Sequence, residues 1–298
     1  MTDFLQAIVN GFSQGSIYAL LALGYVMIYK ATRVISFAQP ALMIVGGLFS
    51  YHFTSELGLP FWVGMALGIV CGAVVGMIVE RLALRPMLGK PVFTLAIITI
   101  GVDIVLRIIS NRYIGVQSRI IDYPNGSDRV SVGGVSISQQ RIGLIAVTTV
   151  AVIALALFFR YSRTGLAMRA TALDQETALA QGIRVGAVFA LAWAIAGGLA
   201  AIAGTFVAAG NAGIEQTSWI IALKALPAII IGGLDSVQGA VIGGLAVGIV
   251  EALTATFQPD VAPWLGANFS LVAPYALMFV VLLVRPYGLF GTKEVERV

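Results

Sequence analysis

From Phe61 to Val79 the chain carries no charged side chain, and glycine returns every fourth residue, at Gly64, Gly68, Gly72 and Gly76. An apolar run of this length crosses a bilayer as a helix. The four-residue period sets all four glycines along one helix face, where a neighbouring helix can approach closely. Similar apolar runs follow one another along the chain, at about 4–29, 34–53, 92–109, 142–159, 185–209, 219–233, 240–255 and 271–284. They predict an all-α polytopic membrane protein of about 8–9 transmembrane or re-entrant helices, in one transmembrane domain over 1–298. Composition points the same way. Charged residues make up 11% of the chain, against about 25% in a soluble domain. The first run opens at Asp3 without a basic leader and reads as a first span rather than a cleavable signal.

Several chemistries are excluded early. The one cysteine, Cys71, sits inside an apolar run, and the one histidine, His52, cannot build a multi-histidine metal site. No phosphate loop occurs, since Gly89-Lys90 is followed by Pro91, and there is no H-E-x-x-H. ATP or metal hydrolysis is therefore not assigned to this chain, and no cofactor is expected in it. Gly11-Phe-Ser13-Gln-Gly15 matches a nucleophile-elbow pattern, but that motif needs a strand before it and a histidine partner. Helix packing through Gly11 and Gly15 explains the spacing better. The net charge of +4 is spread over the loops, which fits the positive-inside bias of membrane proteins rather than nucleic-acid binding.

What remains are polar positions in apolar surroundings. Asn10, Ser13, Gln14 and Tyr18 interrupt the first run, and Ser36, Gln39 and Pro40 open the second. Proline lacks an N–H, so Pro40 marks a helix start or break, which membranes tolerate only where protein or a cavity covers the backbone. Lys224, followed by Pro227, marks a short, broken or re-entrant segment. These eight residues are the candidates for a solute pathway. Asp103 and Arg107 form an i,i+4 pair, while a partnership of Lys224 with Glu251 stays open. Gly243, Gly244 and Gly248 form a second packing stripe.

Two stretches lie outside the runs. Residues 112–141 hold V-S-V-G-G-V-S-I-S, a hairpin signal, and the acceptor pattern Asn125-Gly126-Ser127. Residues 160–184 hold four arginines, with Leu166, Ala170, Leu173, Ala178 and Leu179 giving a partly apolar helical face. That is an interfacial helix lying on lipid headgroups or a docking element for a partner. The loops at 30–33, 80–90 and 160–184 and the tail from 285 share most of the basic residues. They are placed in the cytoplasm, with the 112–141 loop and the N-terminus outside.

The order and spacing of five stretches carry a family resemblance. They are Gly15-Ser-Ile-Tyr18-Ala-Leu-x-Ala-Leu-Gly24, Val34-Ile-x-Phe37-Ala38, Glu80-Arg81-x-x-x-Arg85-Pro86, Arg160-Tyr-Ser-Arg163-x-Gly165, and Gly232-Gly233-Leu-x-Ser-x-x-Gly239-Ala-x-Ile-Gly243-Gly244, closed by Arg285-Pro-x-Gly288. Over nearly its whole length the chain resembles the permease subunits of branched-chain (hydrophobic) amino-acid ATP-binding cassette importers. The resemblance implies half of a pore without its own motor, in a bacterial inner membrane. Implied partners are a second, related permease in a heterodimer, two ATPase subunits that bind ATP and Mg, and a periplasmic or extracellular substrate-binding protein. It also implies that Arg163, Gly165, Arg169, Asp174, Glu176, Ala178 and Gly182 belong to the element that couples to the ATPase. One departure bears on substrate: where the family reads Phe-Ala-His-Gly, this chain reads Phe37-Ala38-Gln39-Pro40. The competing expectation is a stand-alone secondary transporter or channel, relaying ions through Asp103, Lys224 and Glu251.

Overall fold

The computed structural model describes residues 2–87, 90–124, 128–132, 134–266 and 268–292. Gly89, the Asn125-Gly126-Ser127 pattern, Gly133 of the hairpin turn, and Lys293 and Arg297 of the tail lie outside the described residues. In chain order the helices are α1 (Thr2–Thr32), α2 (Gln39–Tyr51), α3 (Phe61–Val79), α4 (Val92–Ile114), α5 (Gln139–Tyr161), α6 (Arg163–Leu173), α7 (Gln175–Ala180), α8 (Val185–Ala208), α9 (Trp219–Leu223), α10 (Ala225–Gly232), α11 (Val237–Val261) and α12 (Ala273–Val284). Strands β1 (Arg129–Val132) and β2 (Val135–Ser138) pair antiparallel, with Arg129 opposite Ser138. Among the described residues six helices, α1, α3, α4, α5, α8 and α11, are long and apolar enough to cross a membrane. The chain is a multi-pass membrane protein.

Six is fewer than the eight or nine apolar runs suggest, and the shortfall has local causes. Pro40 delays the second helix, and α2 then runs on through a π-helical turn at His52–Glu56, whose polar His52, Thr54, Ser55 and Glu56 end its apolar stretch. The run at 219–233 breaks at Lys224 into α9 and α10. The last run yields the 12 residues of α12.

At the centre stands α1, buried at every position from Tyr18 to Ile28, as expected of a helix that is apolar all round. Against it lies α11, glycine facing glycine. A Cβ at Gly15 would fall 2.8 Å from Leu245 Cα, and one at Gly11 would fall 2.6 Å from Ile249 Cα. On the other flank α3 lays its four glycines against α2 and α8. Gly64 and Gly68 meet the side chains of Thr54 and Ser50, while Gly72 and Gly76 meet the backbone of α8 at Gly197 and Trp193. Outside this core, α4 and α5 expose Ile97, Ile104, Ile108, Val150, Ile153 and Leu157. In a membrane protein such an apolar exterior is what lipid covers.

The segment between α1 and α2 lacks helical hydrogen bonds, and α4 supplies acceptors for it. Phe37 N donates to Thr99 Oγ1 at 2.9 Å, and Ala41 N donates to Asp103 Oδ1 at 3.1 Å. Arg107 Nε lies 2.7 Å from Asp103 Oδ2, although its N–H is not aimed along the contact. The Asp103–Arg107 pair thus fixes the start of α2 in place. Arg33 takes a left-handed conformation at φ 58°, strained for a residue with a side chain. Its guanidinium holds the turn by donating to Ala172 O from Nη2 at 2.8 Å and from Nε at 3.2 Å.

Candidate functional site

A cleft of about 690 Å³ opens beside the first half of α1. Asn10, Ser13 and Gln14 line it from α1, Arg141 from the start of α5, Phe206 from the end of α8, and Ser136 from β2. Gln6 ties the hairpin over this mouth as a strand would. Its Nε2 donates to Ser136 O at 3.0 Å, and its Oε1 accepts from Ser136 N at 2.9 Å. Arg141 donates to Asn10 Oδ1. A second hollow of about 340 Å³ shares Asn10, Ser13, Gln14 and Arg141 and extends toward Ala252 and Thr256 of α11. Among the described residues, the lining of the larger cleft includes two cations, Arg129 and Arg141, and no carboxylate. The cleft therefore suits a polar solute that carries a carboxylate.

Beneath Gln14 the polar lining continues into a buried charged cluster. Lys224 Nζ pairs with Glu251 Oε1, and both side chains are only 8% exposed. Tyr18 Oη donates to Glu251 Oε2 at 2.6 Å, and Gln14 Nε2 donates to Tyr18 Oη at 2.9 Å and to Glu251 Oε1 at 3.3 Å. Lys224 reaches this point because the chain breaks between α9 and α10 at that residue. A single charge at the centre of a spanning helix costs about 2.5–3.5 kcal/mol on insertion scales, so the two charges are held only as a pair. Gln14 belongs to both groups and connects the cleft to the cluster.

The structure divides the eight pathway candidates. Asn10, Ser13, Gln14, Tyr18 and Lys224 gather at the cleft and the cluster below it. Ser36, Gln39 and Pro40 do not: all three are buried away from these hollows. Ser36 Oγ accepts from Ala38 N at 3.2 Å, and Gln39 Nε2 donates to Ala196 O at 3.3 Å. Ser36 thus serves the break between α1 and α2, where backbone groups need partners inside protein, while Gln39 reaches across to α8 and its Oε1 has no partner among the described residues. Gln6, Arg129, Arg141 and Phe206 were not singled out from the sequence. Gln6 stands one helical turn before Asn10, and that i,i+4 spacing was a usable signal. Arg141 and Phe206 lie at run ends and Arg129 in the hairpin loop, where a polar or aromatic side chain is unremarkable.

The stretch at 160–184 forms two helices rather than one. Asp174 separates them by capping α7: its Oδ1 accepts from Glu176 N at 2.9 Å and Thr177 N at 3.0 Å, and its Oδ2 accepts from Thr177 Oγ1 at 2.7 Å. The face turned toward the bundle carries Gly165, Met168, Thr171 and Ala178. Leu166, Leu173 and Leu179 are instead 60%, 86% and 58% exposed, so the apolar face expected from spacing is mostly the outer one. At Gly165 the inner face has no room for a side chain, since a Cβ there would meet Phe158 O at 2.5 Å, while Met168 is fully buried on the same face. Arg163, Arg169 and Glu176 are exposed beside the leucines, and Gly182 ends α7 at φ 80°.

Hydrogen bonds from Thr177 and Glu176 hold the Asp174 carboxyl below its usual range. With its folded pKa depressed, the cap is intact above the ordinary carboxylate pKa and is lost as pH falls through the folded value. Asp174→Ala is expected to speed amide exchange at Glu176 and Thr177 at neutral pH and to remove its acid dependence. Exchange rates equal to the parent protein's would show that Asp174 does not hold α7.

The family model described as branched-chain amino acid transport system, permease component, matches residues 7–282. The chain belongs to that family. It is a transport permease. It is 34% identical over 313 residues to the high-affinity branched-chain amino acid transport system permease protein LivH of Escherichia coli, covering 99% of this chain and 98% of that one. To the corresponding permease protein BraD of Pseudomonas aeruginosa it is 32% identical over 308 residues, with the same coverage of each. Among solved structures it has a loose likeness to PsaBC from Streptococcus pneumoniae in complex with Fab. The TM-score is 0.45 at 15% identity, over 96% of this chain and 91% of that one, too remote to bear on the fold or function.

Proposed function

We propose that this permease forms one half of the membrane pathway of an ATP-binding cassette importer for branched-chain or other small amino acids. The observation that carries the reading is the family match from residue 7 to residue 282. A substrate-binding protein delivers the solute to the cleft under the hairpin, on the outer side of a bacterial inner membrane. The N-terminus lies on that side, the 160–184 stretch and the C-terminus on the cytoplasmic side. The six long helices, with α2, α9–α10 and α12 as short or re-entrant segments, make up the eight or nine segments of a single permease domain. A second, related permease completes the pore, and two partner ATPases bind the ATP and Mg.

The cluster below the cleft supplies the gate. An amino acid is a zwitterion, so its carboxylate and ammonium match Lys224 and Glu251. Passing solute exchanges the pair's mutual contact for contacts with both of its ends, and no charge is left unpaired in the bundle. The exposed Leu166, Leu173 and Leu179 of α6 and α7, ringed by arginines, form the surface on which the ATPase sits. Movement of that surface rocks the bundle between outward- and inward-open states.

Expression of the tagged chain in its native operon context tests the reading. ATPase chains are expected to co-purify with the parent protein. At least a tenfold loss is expected on changing Leu166, Leu173 and Leu179 to alanine, with membrane levels unchanged because these side chains leave no cavity. If no nucleotide-binding chain accompanies the parent, and liposomes holding it alone move amino acid down an ion gradient, it is a stand-alone secondary transporter.

A further inference from the structure

At the bundle end that carries α6 and α7, a separate cavity of about 250 Å³ holds buried polar atoms without partners among the described residues. Glu80, on the π-helical turn after α3, is 1% exposed. Neither carboxylate oxygen has a hydrogen-bond partner among the described residues. Trp193 of α8 lines the same cavity with its indole N–H likewise unpartnered. Lys90 and Arg33 line it too, yet neither forms an ion pair with Glu80. Val34, Leu84, Leu95 and Phe189 give it an apolar wall, and Thr32 and Gln175 complete the lining. Arg85 and Arg81 stand near enough to act on the charge of Glu80, but neither donates to it or pairs with it among the described residues. A buried carboxylate without a donor is strongly unfavourable, which leaves its oxygens open to a cationic ligand group.

The ligand's other features follow from the rest of the lining. Lys90 and the Trp193 indole offer donors to an anion, and the apolar wall offers a bed for an aliphatic side chain. We propose that this cavity binds a zwitterionic aliphatic α-amino acid, its ammonium on Glu80, its carboxylate on Lys90 and Trp193, and its side chain against Leu84, Leu95 and Phe189. The site is separate from the cleft, with which it shares no lining residue. Gln175 of α7 also lines it, and Arg33 is tied to Ala172 of α6. Occupancy therefore bridges α1, α3 and α8 to the two short helices and favours one of their positions over the other. Bound product then restrains further import, a role that rests on the reading that α6 and α7 engage the ATPase; the binding itself does not.

The test is equilibrium binding of radiolabelled L-leucine to the full chain in nanodiscs. A background carrying both Lys224→Met and Glu251→Leu removes the charges of the cleft cluster without stranding either one. In that background saturable binding is expected to persist, and Glu80→Gln is expected to weaken it at least tenfold. 4-Methylpentanoate and 3-methylbutylamine, each lacking one of the two charges, are expected to compete at least tenfold less well than L-leucine. Lys90→Met, at an exposed position, is expected to weaken binding severalfold without disturbing the fold, and carries the test should the Glu80 variant not accumulate. Binding indifferent to both substitutions, or no binding in the background protein, overturns the proposal and leaves Glu80 a structural carboxyl. In the assembled complex, leucine on the α6–α7 side is expected to lower ATPase activity only when Glu80 is intact. If binding stands but ATPase does not respond, the site holds and its regulatory role falls.

Discussion

Changing Glu251 to glutamine is expected to stop uptake by the assembled transporter and to destabilise the permease by about 3–5 kcal/mol, the usual cost of stranding one member of a buried ion pair. Lys224 would then stand where it is 8% exposed with a neutral amide, a weaker acceptor, in place of its partner. Tyr18 would also lose a carboxylate acceptor now 2.6 Å away. Removing both charges is a different experiment. Lys224→Met with Glu251→Leu replaces the pair by apolar side chains, and such exchanges are often neutral or stabilising by about 1–4 kcal/mol. The double variant is thus expected to melt at or above the parent's temperature and still fail to transport. Stability and function would part at two residues. Full uptake by the stable double variant would show that the pair is only a packing device and remove it from the pathway.

The second large effect is expected at the seam of α1 and α11. A Cβ at Gly248 would press on the backbone of Gly15 and on the carbonyl of Gly11. Backbone cannot change rotamer, so the only relief is to push the two helices apart. Overpacking a well-filled core costs about 1–3 kcal/mol, occasionally more, and here the strain falls on the central helix. Gly248→Leu is expected to abolish accumulation of monodisperse protein, as read by size-exclusion chromatography of detergent extracts. Gly101→Leu is the matched control, since a Cβ there meets nothing within 4 Å. Equal yields from the two variants would mean that the close approach of α1 and α11 is not needed for folding.

Both predictions rest on residues that stood out in the sequence, yet for different reasons. Glycine spacing is a local property. A period of four puts Gly64, Gly68, Gly72 and Gly76 on one face of any helix, whatever lies opposite, so a close approach was legible before any partner was known. Lys224 was legible as an anomaly, a charge and a nearby proline in an apolar run. Glu251 was legible too, but their pairing stayed open, because 27 positions separate them and only the packing of α10 on α11 brings them together. Ser36 and Gln39 show the converse. Polarity in an apolar run marks a need for partners, but it does not say whether backbone or solute meets that need, and here the partners are Ala38 and Ala196.

By itself, then, the sequence determined the class, the approximate helix boundaries, the hairpin and the packing stripes, because each follows from hydrophobic period, length and turn chemistry within a short window. Where the windows failed, distant contacts had intervened. Gly165 is turned inward on α6 because the Phe158 carbonyl at the end of α5 leaves no room there for a side chain. The Asp103 carboxylate serves the start of α2 because α4 lies beside it. The cleft, the cluster around the buried pair and the cavity at Glu80 each join side chains from three or more elements, and only the tertiary structure decides which of them meet.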